Sequence, residues 1–138
     1  MTTQKIAAVT GVTGYVGGRL VPELLRAGFR VRGIARNPKR LRDRPWRSQI
    51  DVVEADLTDP VATRAALEGV DVAYYLVHSL SADSTFAARD RRTALTFAQV
   101  AREAGVSRIV YLGGMHPEAG PGELSDHLES RKEIGEIL

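Results

Sequence analysis

The chain has 138 residues, 43% of them hydrophobic and 26% charged, and carries a net charge of +2. That is one domain's worth of ordinary globular protein, long enough for a real core. No apolar run approaches the ~18 residues that cross a bilayer, and Met-Thr-Thr-Gln-Lys lacks a signal-peptide layout. The absence of cysteine excludes disulfides and thiolate metal sites and is neutral about compartment. Without an apolar span or signal layout, no membrane partner is expected and a cytoplasmic location is the simplest reading.

In chain order, short β-branched runs alternate with amphipathic segments. The first strand, Lys5–Thr10, runs into Gly11, Gly14 and Gly17 and then into a helix, Tyr15–Ala27, that aligns Leu20, Leu24 and Leu25 and stops at Gly28. A strand, a glycine turn and a helix in that order let backbone N–H groups and the positive end of a helix dipole approach a diphosphate. Pro22 falls inside that helix, where local distortion is expected. The second strand, Arg30–Ala35, is followed by Arg36, Lys39, Arg40, Arg42, Arg44 and Arg47 against one acid, Asp43. This stretch reads as a solvated connection. The competing reading is a phosphate-binding patch with Trp46 as a stacking platform, but no nucleic-acid motif accompanies it and nucleic acid is not expected as a partner.

The third strand candidate is Asp51–Ala55. Asp59-Pro60 is a helix start, an N-cap with proline at the first helical position, and that helix closes at Gly69. The fourth strand, Asp71–Leu76, carries Tyr74 and Tyr75 in alternation, read as packing residues with tethered hydroxyls. A long helix, Thr85–Ala104, spaces Ala94, Phe97, Ala101 and Ala104 on one face and ends at Gly105. After a fifth strand, Arg108–Leu112, come a Gly- and Pro-rich loop and a last helix, Leu124–Leu138. Such units demand right-handed crossovers. The fold class is therefore α/β: a Rossmann-like, doubly wound parallel sheet of order 3-2-1-4-5 in three α/β/α layers. Its ligand crevice lies at the carboxyl ends of strands one and four. A domain of this kind usually adds a sixth strand, so residues 1–138 read as the N-terminal part of a longer domain.

The spacing G-x-x-G-x-x-G in Thr-Gly-Val-Thr-Gly-Tyr-Val-Gly resembles that of the extended and atypical short-chain dehydrogenase/reductases. Ala-Arg-Asn-Pro (35–38), Asp-Leu-Thr-Asp (56–59) and Val-Ser-Arg-Ile-Val-Tyr-Leu-Gly-Gly (106–114) are similar to landmarks of the NmrA-like, NAD(P)H-binding branch. The resemblance covers nearly the whole chain and implies a dinucleotide cofactor. Gly11, Thr13, Gly14, Tyr15, Val16 and Gly17 would hold its pyrophosphate. Asp56 matches the position that binds the adenine amino group, with Leu57 beside it. Leu76, Val77 and His78 would run along the inner ribose and nicotinamide. At the end of the second strand an acid would select a ribose diol and an arginine a 2′-phosphate. Arg36 stands there with no acid nearby, so NADP(H) is expected over NAD(H).

Reductases of this superfamily use a tyrosine four residues before a lysine, and a serine after the fifth strand. The lysine lowers the tyrosine's pKa. Here Lys132 is the candidate lysine, but Leu128 occupies the tyrosine position and Gly113-Gly114 the serine position. His116 and His127, with Glu123, Ser125 and Asp126 nearby, match no metal motif, and no metal is expected. Two functions stay open: an NADP-dependent oxidoreductase reducing a carbonyl or enone, and a non-catalytic, dinucleotide-sensing regulator that acts on a protein partner in the manner of NmrA. Helices Thr85–Ala104 and Leu124–Leu138 are where a homodimer would form.

Overall fold

A computed structural model describes residues 4–77, 86–112 and 136–138. Five parallel strands, β1 (Ile6–Thr10), β2 (Arg30–Ala35), β3 (Asp51–Glu54), β4 (Val72–Tyr75) and β5 (Arg108–Tyr111), form one sheet in the order β3-β2-β1-β4-β5. This is the expected doubly wound topology, with β2 at its expected bounds and the other strands one or two residues shorter than expected. The helices are α1 (Tyr15–Arg26), α2 (Pro60–Ala66) and α3 (Phe86–Ala104).

The two faces of the sheet hold separate cores. Ala8, Ile34 and Ala73 face α2 and α3, where Phe97 packs against Tyr75 with ring centroids 4.8 Å apart and the rings tilted by 56°. Ile137 and Leu138 also pack on this side, while the remainder of the expected last helix lies outside the described residues. Ala7, Val9 and Val31 face α1. Asp59 caps α2 as expected, accepting from the N–H groups of Val61 (3.0 Å) and Ala62 (3.4 Å), with Pro60 at the first helical position.

The stretch between β2 and β3 keeps nearly all its charged residues exposed, as expected of a solvated connection. Beyond that expectation it forms two short 3-10 turns, Pro38–Leu41 and Arg47–Gln49. These drive Leu41, Trp46 and Ile50 into the α1-side core. Trp46 is buried and donates its indole N–H to the Gly18 carbonyl at 3.1 Å, so it offers no stacking platform. The same bond explains how α1 accommodates Pro22. Proline lacks the N–H that would bond the carbonyl four residues back, and that carbonyl is Gly18. The indole takes the vacant place, and α1 runs unbroken from Tyr15 to Arg26.

Phe97 is fully buried, whereas Leu95 on the same helix is 52% exposed. Phe97→Ala should lower stability by about 3–5 kcal/mol in urea unfolding, and Leu95→Ala by less than about 0.5 kcal/mol. A small effect at Phe97 would contradict this placement of the core.

Candidate functional site

The site grows out of the end of β1. Thr10 is fully buried, and its hydroxyl donates to the Tyr74 carbonyl and accepts from the Leu76 N–H, both at 3.0 Å. It thereby ties β1 to the end of β4 just beyond the paired residues Val9 and Tyr74. Gly11 then turns with φ +64, a conformation that side chains resist. A Cβ there would lie 3.1 Å from the Leu76 carbonyl oxygen. Val12 is buried, filling the space left by Gly33 in β2. Gly14 closes the turn, its N–H donating to the Gly11 carbonyl at 3.0 Å, and then starts α1.

Gly17 fixes how close the helix comes. A Cβ at Gly17 would sit 2.4 Å from the Gly11 carbonyl oxygen and 2.9 Å from the Val12 Cα, so no other residue fits without moving the backbone. The start of α1 bears no acid and no side-chain cap, and its first amides point toward the turn with no partner of their own among the described residues. Their partial positive charge suits an anion.

In front of this turn lies a cleft of about 410 Å³ at the carboxyl ends of the strands, within the range of small-molecule sites. It is lined by the predicted residues Gly11, Thr13, Gly14, Arg36, Asp56, Leu57, Leu76 and Val77. Tyr15, Val16 and Gly17 are not part of the lining. The Tyr15 and Val16 side chains are exposed, with Arg19 over the Tyr15 ring. His78 and Lys132 lie outside the described residues, as do His116, His127 and the Gly113-Gly114 pair.

Sequence reasoning missed the opposite wall, where Tyr75 and, from the first turns of α3, Arg89, Asp90 and Thr93 line the cleft. Arg89 and Thr93 share a helix face at a spacing of four. That spacing was available in the sequence, but it was masked by the polar look of Arg89 to Arg92. Thr10 was likewise part of the glycine motif without a role of its own.

Two titrating groups behave differently. Asp56 is exposed and accepts at Oδ1 from the Thr58 N–H (2.9 Å) and hydroxyl (2.8 Å). These bonds, with a smaller contribution from the Arg36 charge, hold its carboxyl below the ordinary value of 3.8. Oδ2 takes part in no bond among the described residues and can accept from a ligand amino group. Tyr75 is pushed upward by burial, then by the charge of Asp90 and by Tyr111. It stays a neutral phenol, the opposite of the tuning a proton-exchanging tyrosine needs. Among the described residues no group of three His, Cys, Asp or Glu side chains could hold a metal, and no helix is long and apolar enough to cross a membrane.

Known proteins agree with this geometry. Residues 11–137 match a family described as NAD(P)H-binding. A 3 beta-hydroxysteroid dehydrogenase/Delta 5→4-isomerase of Mycobacterium tuberculosis is 31% identical over 113 residues, covering 75% of this chain and 30% of that enzyme. An Escherichia coli NADPH-dependent quinone oxidoreductase, solved with NADPH, superposes with TM-score 0.74 at 25% identity over 95% of this chain and 44% of its own. Citrobacter sp. triphenylmethane reductase, solved with NADP(H), shares the fold at TM-score 0.72 and 24% identity, over 95% of this chain and 45% of its own. The chain thus spans less than half the length of these relatives.

Gly17→Ala should cost about 1–3 kcal/mol of stability through overpacking, measured by urea unfolding; an unchanged midpoint would mean that the helix does not approach so closely. Thr58→Val should raise the Asp56 pKa toward 3.8 in an NMR titration. Because the folded pKa is depressed, the contribution of Asp56 to stability is present above its unfolded pKa and fades as pH falls through the folded value. The variant should therefore lose part of that dependence at acid pH.

The glycine turn, the anion-suited helix start, the cleft at the switch point and the match along the chain agree: this chain belongs to the NAD(P)H-binding family, in the atypical, NmrA-like part of the short-chain dehydrogenase/reductases.

Proposed function

We propose that the chain is the cofactor-binding part of an NADP-preferring reductase. The observation that carries this reading is the pairing of Arg36 and Asp56 at one end of the cleft. Arg36 follows β2, where an acid would favour a ribose diol, and its guanidinium makes no hydrogen bond or ion pair among the described residues. It is free to pair with a 2′-phosphate. Asp56, kept ionised by Thr58, accepts from the adenine amino group. The first amides of α1 and the Gly11–Gly14 turn take the pyrophosphate. Leu76 and Val77, with His78 beyond them, continue along the inner ribose and the nicotinamide, with Lys132 as the ribose-holding lysine.

When bound, NADPH would supply the hydride for reduction of a carbonyl or enone in an intact protein that is catalytic. The relatives' printed names, a dehydrogenase, an oxidoreductase and a reductase among them, support a redox role. A second reading rests on one observation: Leu128 and Gly113-Gly114 stand where the superfamily's tyrosine and serine would be, and Tyr75 is tuned the wrong way to replace them. That pattern favours a dinucleotide sensor that signals to a protein partner without turnover. In either case we infer a cytoplasmic protein, with α3 as one face of a homodimer.

Titration of the full-length protein should give tighter binding of NADPH than of NADH. Arg36→Ala should weaken NADPH by about tenfold, the loss of one charge-assisted contact, and leave NADH within about twofold. Equal affinities that the substitution does not change would remove Arg36 from this role. An NADPH-consumption screen with carbonyl substrates separates the two readings, since tight binding without turnover leaves the sensor.

A further inference from the structure

The basic stretch between β2 and β3 contributes only Arg36 to the cleft. A second member does something else. Arg44 reaches back 31 positions and donates from its guanidinium to the Thr13 carbonyl at 3.1 Å. That carbonyl belongs to the peptide whose N–H, on Gly14, closes the glycine turn on Gly11. One peptide plane of the turn is therefore gripped at both ends, by Gly11 on one side and Arg44 on the other.

Arg44 is well placed to grip. Its own N–H bonds the Leu41 carbonyl, and its carbonyl accepts from Arg47, both at 3.0 Å. Leu41 before it and Trp46 after it are buried in the α1-side core. Trp46 adds the bond to Gly18, one turn into α1. The arginine thus projects from an anchored arch over the back of the turn. Its guanidinium also lies along α1, within 3.6 Å of where a Cβ on Gly18 would be.

We infer that Arg44 is a positioning residue for dinucleotide binding: it fixes the Thr13–Gly14 peptide, and so the turn and first amides of α1, in the orientation that receives a pyrophosphate. This rests on the turn being the pyrophosphate site, as proposed above. The role differs from that of Arg36, because a pyrophosphate is common to both dinucleotides whereas the 2′-phosphate belongs to one. Arg44 therefore governs affinity and not the choice between NADPH and NADH.

The test is a set of titrations of the full-length protein with NADPH, NADH and 2′-AMP, which has the adenosine and 2′-phosphate but no pyrophosphate. Thermal melts measure the folded fraction of each variant. Arg44→Met keeps the length and loses the donor; Arg44→Lys keeps charge and donor; Arg42→Met removes a neighbouring exposed charge. The expected result is that Arg44→Met weakens NADPH and NADH alike, by about threefold to tenfold, and leaves 2′-AMP unchanged. Arg44→Lys should recover most of the loss and Arg42→Met should match the wild type.

Several outcomes overturn the inference. Unchanged dinucleotide binding by Arg44→Met is the first. Loss of NADPH alone would make Arg44 a second arm for the 2′-phosphate. Parallel loss of 2′-AMP with a fallen folded fraction would mean general destabilisation, and an equal effect of Arg42→Met would mean bulk charge. A wild-type protein that binds 2′-AMP but neither dinucleotide would instead sink the underlying assignment of the turn, and the inference with it.

Discussion

The contact between Gly17 and the Gly11 carbonyl is the constraint on which the rest of the site depends. With only 2.4 Å available to a Cβ, α1 can start this near to the end of β1 only if its third residue has no side chain. That closeness puts the uncapped first turn of the helix directly over the switch point of the sheet, where β1 and β4 part and Thr10 bridges them. Moving α1 outward by even one methyl group would separate the helix amides from the cleft that Gly11, Thr13 and Gly14 line. Packing at one glycine is thus what makes the helix dipole usable.

The two sides of the turn are built differently. In front, the cleft is polar at the end where Arg36 and Asp56 stand, and closed by an aromatic and polar wall from β4 and α3. Behind, the turn rests on buried apolar residues and on carbonyls held from the β2–β3 connection. That connection replaces a crossover helix by an arch whose apolar members are buried and whose arginines are left at the surface. Pro22 shows the same economy of contacts, because the carbonyl it strands is the one Trp46 needs. The arch and the helix therefore depend on each other: neither polar group would be satisfied alone.

Much of this is legible in the sequence for simple reasons. Parallel strands buried on both faces read as apolar runs, helices end at glycines, and Asp59-Pro60 fixes a start, so the order 3-2-1-4-5 follows from connection handedness. The glycine turn is also readable, because a chain that leaves β1 at positive φ and brings α1 this close is restricted to glycine at Gly11 and Gly17. What could not be read are contacts set by tertiary distance. Arg44 to Thr13 spans a loop whose composition looks solvated, and only the burial of Leu41 and Trp46 reveals the arch. Arg89 and Thr93 share a helix face by their spacing, but that this face meets the cleft depends on the crossing of α3 over β4, which the spacing does not reveal. The candidate lysine, Lys132, and His78 fall outside the described residues, so their proposed roles rest on the family pattern.

The central claim is that the glycine turn and the start of α1 receive a pyrophosphate, with the adenosine end toward Arg36 and Asp56. Following backbone amide shifts by NMR during titration with NADP⁺ tests it most directly. The account predicts the largest shifts at Gly14, Tyr15, Val16 and Gly17, and a second group at Arg36 and from Asp56 to Thr58. Shifts confined to other surfaces, with these amides unmoved at saturation, would contradict it.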